Sequence, residues 1–204
     1  MIFSYSKNFL FIHNYKVAGT SIRDVLKKYS YRPHEKFHYQ VFRRLGIIPS
    51  YHTFRSHGPI LEVKNRMPSI LFNRLFKFGF VRNPWDWQVS LYHFAQQTEN
   101  HHQHELISQM NFEEYIQWRV NEDLHLQKDF FTDEKGEIIM DFIGKMESLE
   151  EDFSFVARTI GMDETLSHKN KSNHTHYRKY YSTKTKDLVY RAFLEDINTF
   201  GYEF

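Results

Sequence analysis

Two short apolar runs, Phe9-Leu-Phe-Ile12 and Phe78-Gly-Phe-Val81, each lead through a polar turn into a segment of helical character. An apolar run of this length without polar alternation fits a strand covered on both faces, as in a parallel sheet. After the first run, Gly19, Thr20 and Ser21 open a helix. Its first-turn N–H groups have no intrahelical partners, and that end carries the positive pole of the helix dipole. Lys16 stands in the turn between strand and helix, so the segment reads as an anion cradle. In the usual phosphate loop, Gly-x-x-x-x-Gly-Lys-[Ser/Thr], the lysine follows the last glycine; here Lys16 precedes Gly19 by three residues, which argues against an ATPase or kinase. At the end of the second run Arg82 offers a planar fork of donors, and Ser90, eight residues on, adds a hydroxyl near the second helical turn. Both can face one phosphate.

The same alternation continues along the chain. The pattern predicts strand 8–13, helix 20–29, an irregular aromatic-rich stretch, a short strand near Tyr51–Arg55, helix 59–66, strand 76–82 and helix 85–98. A polar turn with His101, His102 and His104 follows, then helix Asn111 to Val120, strand Ile138 to Met146, helix Leu149 to Ile160 and helix Lys184 to Ile197. Strands alternating with helices imply an α/β fold, a three-layer sandwich with a central parallel sheet. Ligands in such sheets sit beyond the carboxyl ends of the strands, where Lys16, His57 and Arg82 fall. No repeat, low-complexity tract or linker divides the 204 residues, so one domain, 1–204, is expected.

Charge is uneven. His13 to Arg82 holds 14 Lys and Arg against 3 Asp and Glu, whereas Glu122 to Glu164 holds 4 against 13. The basic half, which carries both candidate phosphate segments, suits a multiply charged nucleotide. Nucleic acid is not expected, because the aromatics do not alternate with Arg and Lys as a base-stacking platform requires. With no cysteine, disulfides and thiolate metal sites are excluded. There is neither an uncharged apolar stretch long enough to span a bilayer nor a signal-peptide pattern, so a cytoplasmic location is expected. Nothing in the sequence sets an oligomeric state.

The order Lys16-Val-Ala-Gly-Thr-Ser21 resembles the 5′-phosphosulfate loop of sulfotransferases that use 3′-phosphoadenosine 5′-phosphosulfate (PAPS). The likeness is greatest to the carbohydrate-modifying branch, whose loop reads Pro-Lys-x-x-[Gly/Ser]-Thr-Ser; Tyr15 stands where proline is usual. Arg82-Asn-Pro-Trp-Asp-Trp-Gln-Val-Ser90 resembles that family's 3′-phosphate motif, with Trp87 in place of a common arginine. The similarity continues through Phe142 to Phe153, Asn170 to His174, and Tyr177 to Phe204. It implies a phosphate-loop nucleotide-hydrolase-like fold and transfer of a sulfuryl group to a carbohydrate, glycolipid or other hydroxyl-bearing acceptor. By the same resemblance Lys16, Ala18, Gly19, Thr20 and Ser21 hold the 5′ end of PAPS, Arg82 and Ser90 the 3′-phosphate, and Lys171 and Ser172 belong to a loop closing over the nucleotide. Lys16, a mobile point charge, would relieve the charge building on the leaving phosphate.

The reaction also needs a base. His57, in Arg55-Ser-His-Gly-Pro59, titrates near neutrality and sits where carbohydrate sulfotransferases usually carry theirs; His13, His52 and Glu62 are the rivals. No metal is expected, because the spacing of His101, His102 and His104 does not put two of them on one helical face beside a carboxylate, and they read as a solvated loop. A phosphate-loop kinase or nucleotide hydrolase, or a non-catalytic nucleotide-binding relative, are the alternative functions.

Overall fold

Burial on both faces sets the middle of the molecule. Phe9, Leu10, Phe11 and Ile12 have no exposed surface, in a computed structural model that describes residues 1–30, 54–166 and 175–204. They form β2 (Phe9–Ile12), flanked by β1 (Ile2–Ser4) and β3 (Phe76–Val81), with β4 (Phe142–Lys145) beyond β3. β2 and β3 run parallel in the register Phe9↔Phe76 to Ile12↔Gly79, and β3 and β4 parallel from Phe78↔Phe142 to Val81↔Lys145. β1 is antiparallel to β2, joined by a tight turn in which Asn8 has φ 50°, a left-handed conformation asparagine tolerates.

Side chains alternate across the sheet. Phe9, Phe11, Phe78 and Phe80 pack with Ile22, Val25 and Leu26 of α1 (Gly19–Leu26) and with Phe153 and Val156 of a helix after β4. Leu10, Ile12 and Val81 pack on the other face with Ile60 and Val63 of α2 (Ile60–Arg66), Phe72 of α3 (Ser69–Arg74), Phe131 and Phe200. The result is three layers, helix on sheet on helix. Each of these large side chains contributes about 1.5–3 kcal/mol when fully buried, so the sheet is the rigid platform of the molecule.

Beyond β3 lies a mainly helical lobe. α4 (Pro84–Gln97), α5 (His104–Ile107) and α6 (Phe112–Asn121) precede β4, and α7 (Leu149–Thr159), α8 (Thr183–Ala192) and α9 (Leu194–Phe200) follow it. Trp85, Trp87, Tyr115, Val189 and Phe193 form its core. α4 starts sharply because Asn83 caps it, its side chain accepting from Trp85 N, and Pro84 takes the first helical position, where no N–H is needed.

The sheet and most helices lie where the pattern places them, with local differences. β1, only three residues long, carries no readable alternation and was not expected. The expected strand from Ile138 begins at Phe142, because the Asp133 carboxylate gathers the N–H groups of Lys135 and Glu137 into a turn that leaves Ile138 in an isolated bridge to Thr132. Met67-Pro68 ends α2, and Pro68 then serves as the cap of the unexpected α3. The last expected helix is two, divided at fully buried Phe193. The expected strand near Tyr51–Arg55 lies mostly outside the described residues, and Phe54 and Arg55 are not in a strand.

Candidate active site

β2 delivers its chain into a loop whose backbone alternates through an unusual conformation. Lys16 (φ 55°) and Ala18 (φ 56°) are both left-handed without being glycine, a conformation that costs about 1–3 kcal/mol per residue and persists only where the surroundings enforce it. Several contacts do so. Trp87 on α4, almost wholly buried, donates its indole N–H to the Tyr15 carbonyl at 2.8 Å, and Arg82 Nη1 donates to the Lys16 carbonyl at 3.3 Å. Ala18 caps α1 with no side-chain hydrogen bond, which leaves its first-turn N–H groups, from Gly19, Thr20 and Ser21, without an intrahelical partner.

Gly19 is there for space. A Cβ at this position would land inside the imidazole of His13. That ring is buried, stacked on Phe11 at 5.6 Å and against His57 at 4.1 Å between centroids. Burial and the neighbouring His57 push the His13 pKa down to about 3. The ring is therefore neutral at physiological pH, and its Nδ1 has no hydrogen-bond partner among the described residues.

His57 lies over the same loop, stacked on Tyr15 at 4.4 Å. Its Nδ1 is 3.0 Å from the His13 carbonyl oxygen. A carbonyl can only accept, so Nδ1 carries the proton and Nε2 is left with the lone pair. Burial lowers the His57 pKa, with the hydrogen bond to His13 opposing, which favours the neutral ring. The rival bases differ. Glu62 has one carboxylate oxygen on Arg66 at 2.7 Å and the other on Arg55 at 3.1 Å; His13 is sealed beneath Gly19; His52 lies outside the described residues.

Arg82, buried at the end of β3, extends from the strand toward α4 and binds Asp86 through Nε at 2.7 Å. Ser90 is buried one turn beyond Asp86, and Phe94 lies one turn further along α4. The Lys16 ammonium is 4.0 Å from the Phe94 ring centroid. Burial, then the charge of Arg82, lowers the Lys16 pKa. The structure thus brings Lys16, Ala18, Gly19, Thr20, Ser21, Arg82 and Ser90 to one end of the sheet. Lys171 and Ser172 lie outside the described residues.

A cleft of about 360 Å³ opens beside His57, lined also by Tyr15, Trp87, Leu91, His101, His102, Gln103, Arg119, Asp123 and Phe130. His101 therefore differs from the solvated loop expected of it. The bond between His104 Nδ1 and the Ala95 carbonyl, 2.9 Å, folds the turn back over α4, and His101 meets Phe94 edge-on at 5.5 Å.

Three positioning groups escaped the sequence reading. Trp87 is one. Gln127 is another, fully buried, accepting from Asn14 Nδ2 at 3.1 Å and Arg82 N at 3.0 Å and donating to the Arg82 carbonyl at 2.7 Å. One amide thereby ties the ends of β2 and β3. Asp196 on α9 is the third; it accepts from the N–H groups of Gln127 and Lys128, and burial raises its pKa to about 6. A lone glutamine 45 residues from its partner has no local signature. Gln127→Leu leaves three polar groups unmet, and chemical denaturation is expected to show a loss of about 2–3 kcal/mol.

Comparison with known proteins adds to this geometry. A family model described as "Sulfotransferase family" matches residues 1–203. An uncharacterized protein of Archaeoglobus fulgidus is 31% identical over 126 residues, 59% of this chain and 98% of the relative. In fold, the chain resembles the crystal structure of mouse sulfotransferase SULT7A1 complexed with PAP, with a TM-score of 0.53 and 12% identity over 96% of this chain and 86% of the other.

Proposed function

The chain belongs to the sulfotransferase family, and from that premise we propose that residues 1–204 form one domain that moves the sulfuryl group of PAPS to a hydroxyl of a carbohydrate or glycoconjugate. The observation that carries this reading is the His57 tautomer. The His13 carbonyl holds the proton on Nδ1, so Nε2 is a ready acceptor at the edge of a cleft, beside an anion cradle.

The acceptor oxygen attacks sulfur as His57 Nε2 takes its proton, and the bond from sulfur to the bridging oxygen of the 5′-phosphate breaks opposite. Charge then builds on the departing phosphate. Lys16 and the first-turn N–H groups of α1 answer it, aided by the hydroxyls of Thr20 and Ser21. Ala18 and Gly19 let the backbone approach, and Arg82 with Ser90 holds the 3′-phosphate. The Arg82–Asp86 pair, 2.7 Å, keeps that guanidinium in place. Lys171 and Ser172 are assigned to nucleotide contact on the sequence resemblance alone. That the mouse neighbour was crystallised with PAP supports PAPS as donor. A cytoplasmic location is part of the same proposal; among the described residues no helix is long and apolar enough to cross a membrane.

The test is sulfate transfer from PAPS to a panel of sugars, followed as PAP release and as sulfated product. Lys16→Ala is expected to lower kcat about 10²-fold, the size of losing one transition-state donor. A Lys16→Ala enzyme as fast as wild type would overturn the role given to it.

A further inference from the structure

The Lys16 ammonium carries its charge in surroundings that oppose it. Burial, then the charge of Arg82, acts against the charged form, and the same arginine donates from Nη1 to the Lys16 carbonyl at 3.3 Å, so backbone and side chain share one cationic neighbour. Asp86 is committed to Arg82 Nε at 2.7 Å, and among the described residues no carboxylate pairs with Lys16. The other titratable group beside it is His101, whose neutral ring is favoured by burial, then by His102 and His104, then by Lys16 itself.

What meets the cation is an aromatic ring. Lys16 Nζ lies 4.0 Å from the centroid of Phe94, closer than any other lysine or arginine to a ring among the described residues; the next is Lys186 over Phe204 at 4.4 Å. The negative face of a ring attracts a cation, and the attraction grows as water is excluded. The ring is itself held in place. His101 meets it edge-on at 5.5 Å, and the bond between His104 Nδ1 and the Ala95 carbonyl, 2.9 Å, keeps that turn against α4. Phe94 is 38% exposed and outside the buried cluster of the helical lobe, so a smaller apolar residue there leaves the core whole.

Resting on the sulfotransferase reading above, we propose that Phe94 is a positioning residue for Lys16: the face of its ring keeps the ammonium charged and restricts its orientation, ready for the charge that builds on the departing phosphate. The lysine acts on the phosphate, and Phe94 acts only through the lysine.

The experiment has two readouts, the first independent of activity. In protein labelled with ¹³C at lysine Cε, the Lys16 resonance is identified by its loss in Lys16→Arg and titrated with pH. Phe94→Leu keeps apolar bulk without a ring, and its Lys16 midpoint is expected below that of wild type; Phe94→Tyr restores a ring and is expected to bring the midpoint back. In transfer from PAPS, Phe94→Leu is expected to lower kcat about three- to tenfold, the size of one cation–π contact, with PAP affinity at the wild-type value. Protonated Lys16 is the working form in this reading, so activity falls as pH rises through its pKa. The alkaline limb of Phe94→Leu therefore moves to lower pH, and that of Phe94→Tyr stays with wild type. An unchanged Lys16 midpoint in Phe94→Leu, or a loss of rate that Phe94→Tyr shares, overturns the assignment of Phe94. A wild-type chain that neither binds PAP nor transfers sulfate, while its Lys16 midpoint still depends on the Phe94 ring, overturns the sulfotransferase reading and with it the catalytic use of the contact.

Discussion

Replacing His57 by alanine is expected to lower kcat about 10²–10⁴-fold, the usual contribution of a positioned base, while PAP affinity stays at the wild-type value. The separation follows from geometry: His57 stacks on Tyr15 and bonds to the His13 carbonyl but belongs to neither phosphate segment. The pH profile carries a second signature. Burial lowers the His57 pKa below its ordinary 6.5, and in the proposed base role the neutral ring is the active form. Activity is therefore full at neutrality and falls only as pH drops below that lowered value. In His57→Ala the residual rate loses this acid limb. An alanine enzyme that keeps both rate and limb would transfer the base role elsewhere.

Gly19→Ala is expected to be nearly as damaging for a different reason. The added methyl and the His13 ring cannot occupy the same space. Either the start of α1 moves off the loop or His13 tips out of its stack on Phe11, taking its contact with His57 along. Overpacking of this kind costs about 1–3 kcal/mol, and a displacement near 1 Å at the reacting groups costs about 10²-fold in rate. The cause is checked by a second change. His13→Ala removes the obstacle while its backbone carbonyl still accepts from His57, so the Gly19→Ala/His13→Ala pair is expected to recover part of the stability and nucleotide affinity that Gly19→Ala loses. A double variant worse than either single one would contradict the clash.

Local pattern explains what the sequence made legible. Unbroken apolar runs marked β2 and β3, and Asn83-Pro84 marked the start of α4, because strand burial and helix capping are decided within a few residues. The left-handed loop residues left no trace, since neither Lys16 nor Ala18 is a type that favours φ > 0; they are held there by Trp87 and Arg82, which come more than sixty positions later. Gln127 was silent for the same reason: its role exists only once the segment after α6 folds against the ends of β2 and β3. The substitution that departs most from the family motif, Trp87, turns out to tie that helix to the loop, and the indole also gives Arg119 a surface to pack on.

The most direct test of the central claim is a calorimetric titration of the wild-type chain with PAP, set beside ATP with Mg²⁺, and repeated on Arg82→Ala. The account predicts micromolar binding of PAP, weaker binding of ATP with Mg²⁺, and loss of the PAP signal in Arg82→Ala. Tighter binding of ATP with Mg²⁺, or full PAP affinity without Arg82, would contradict it.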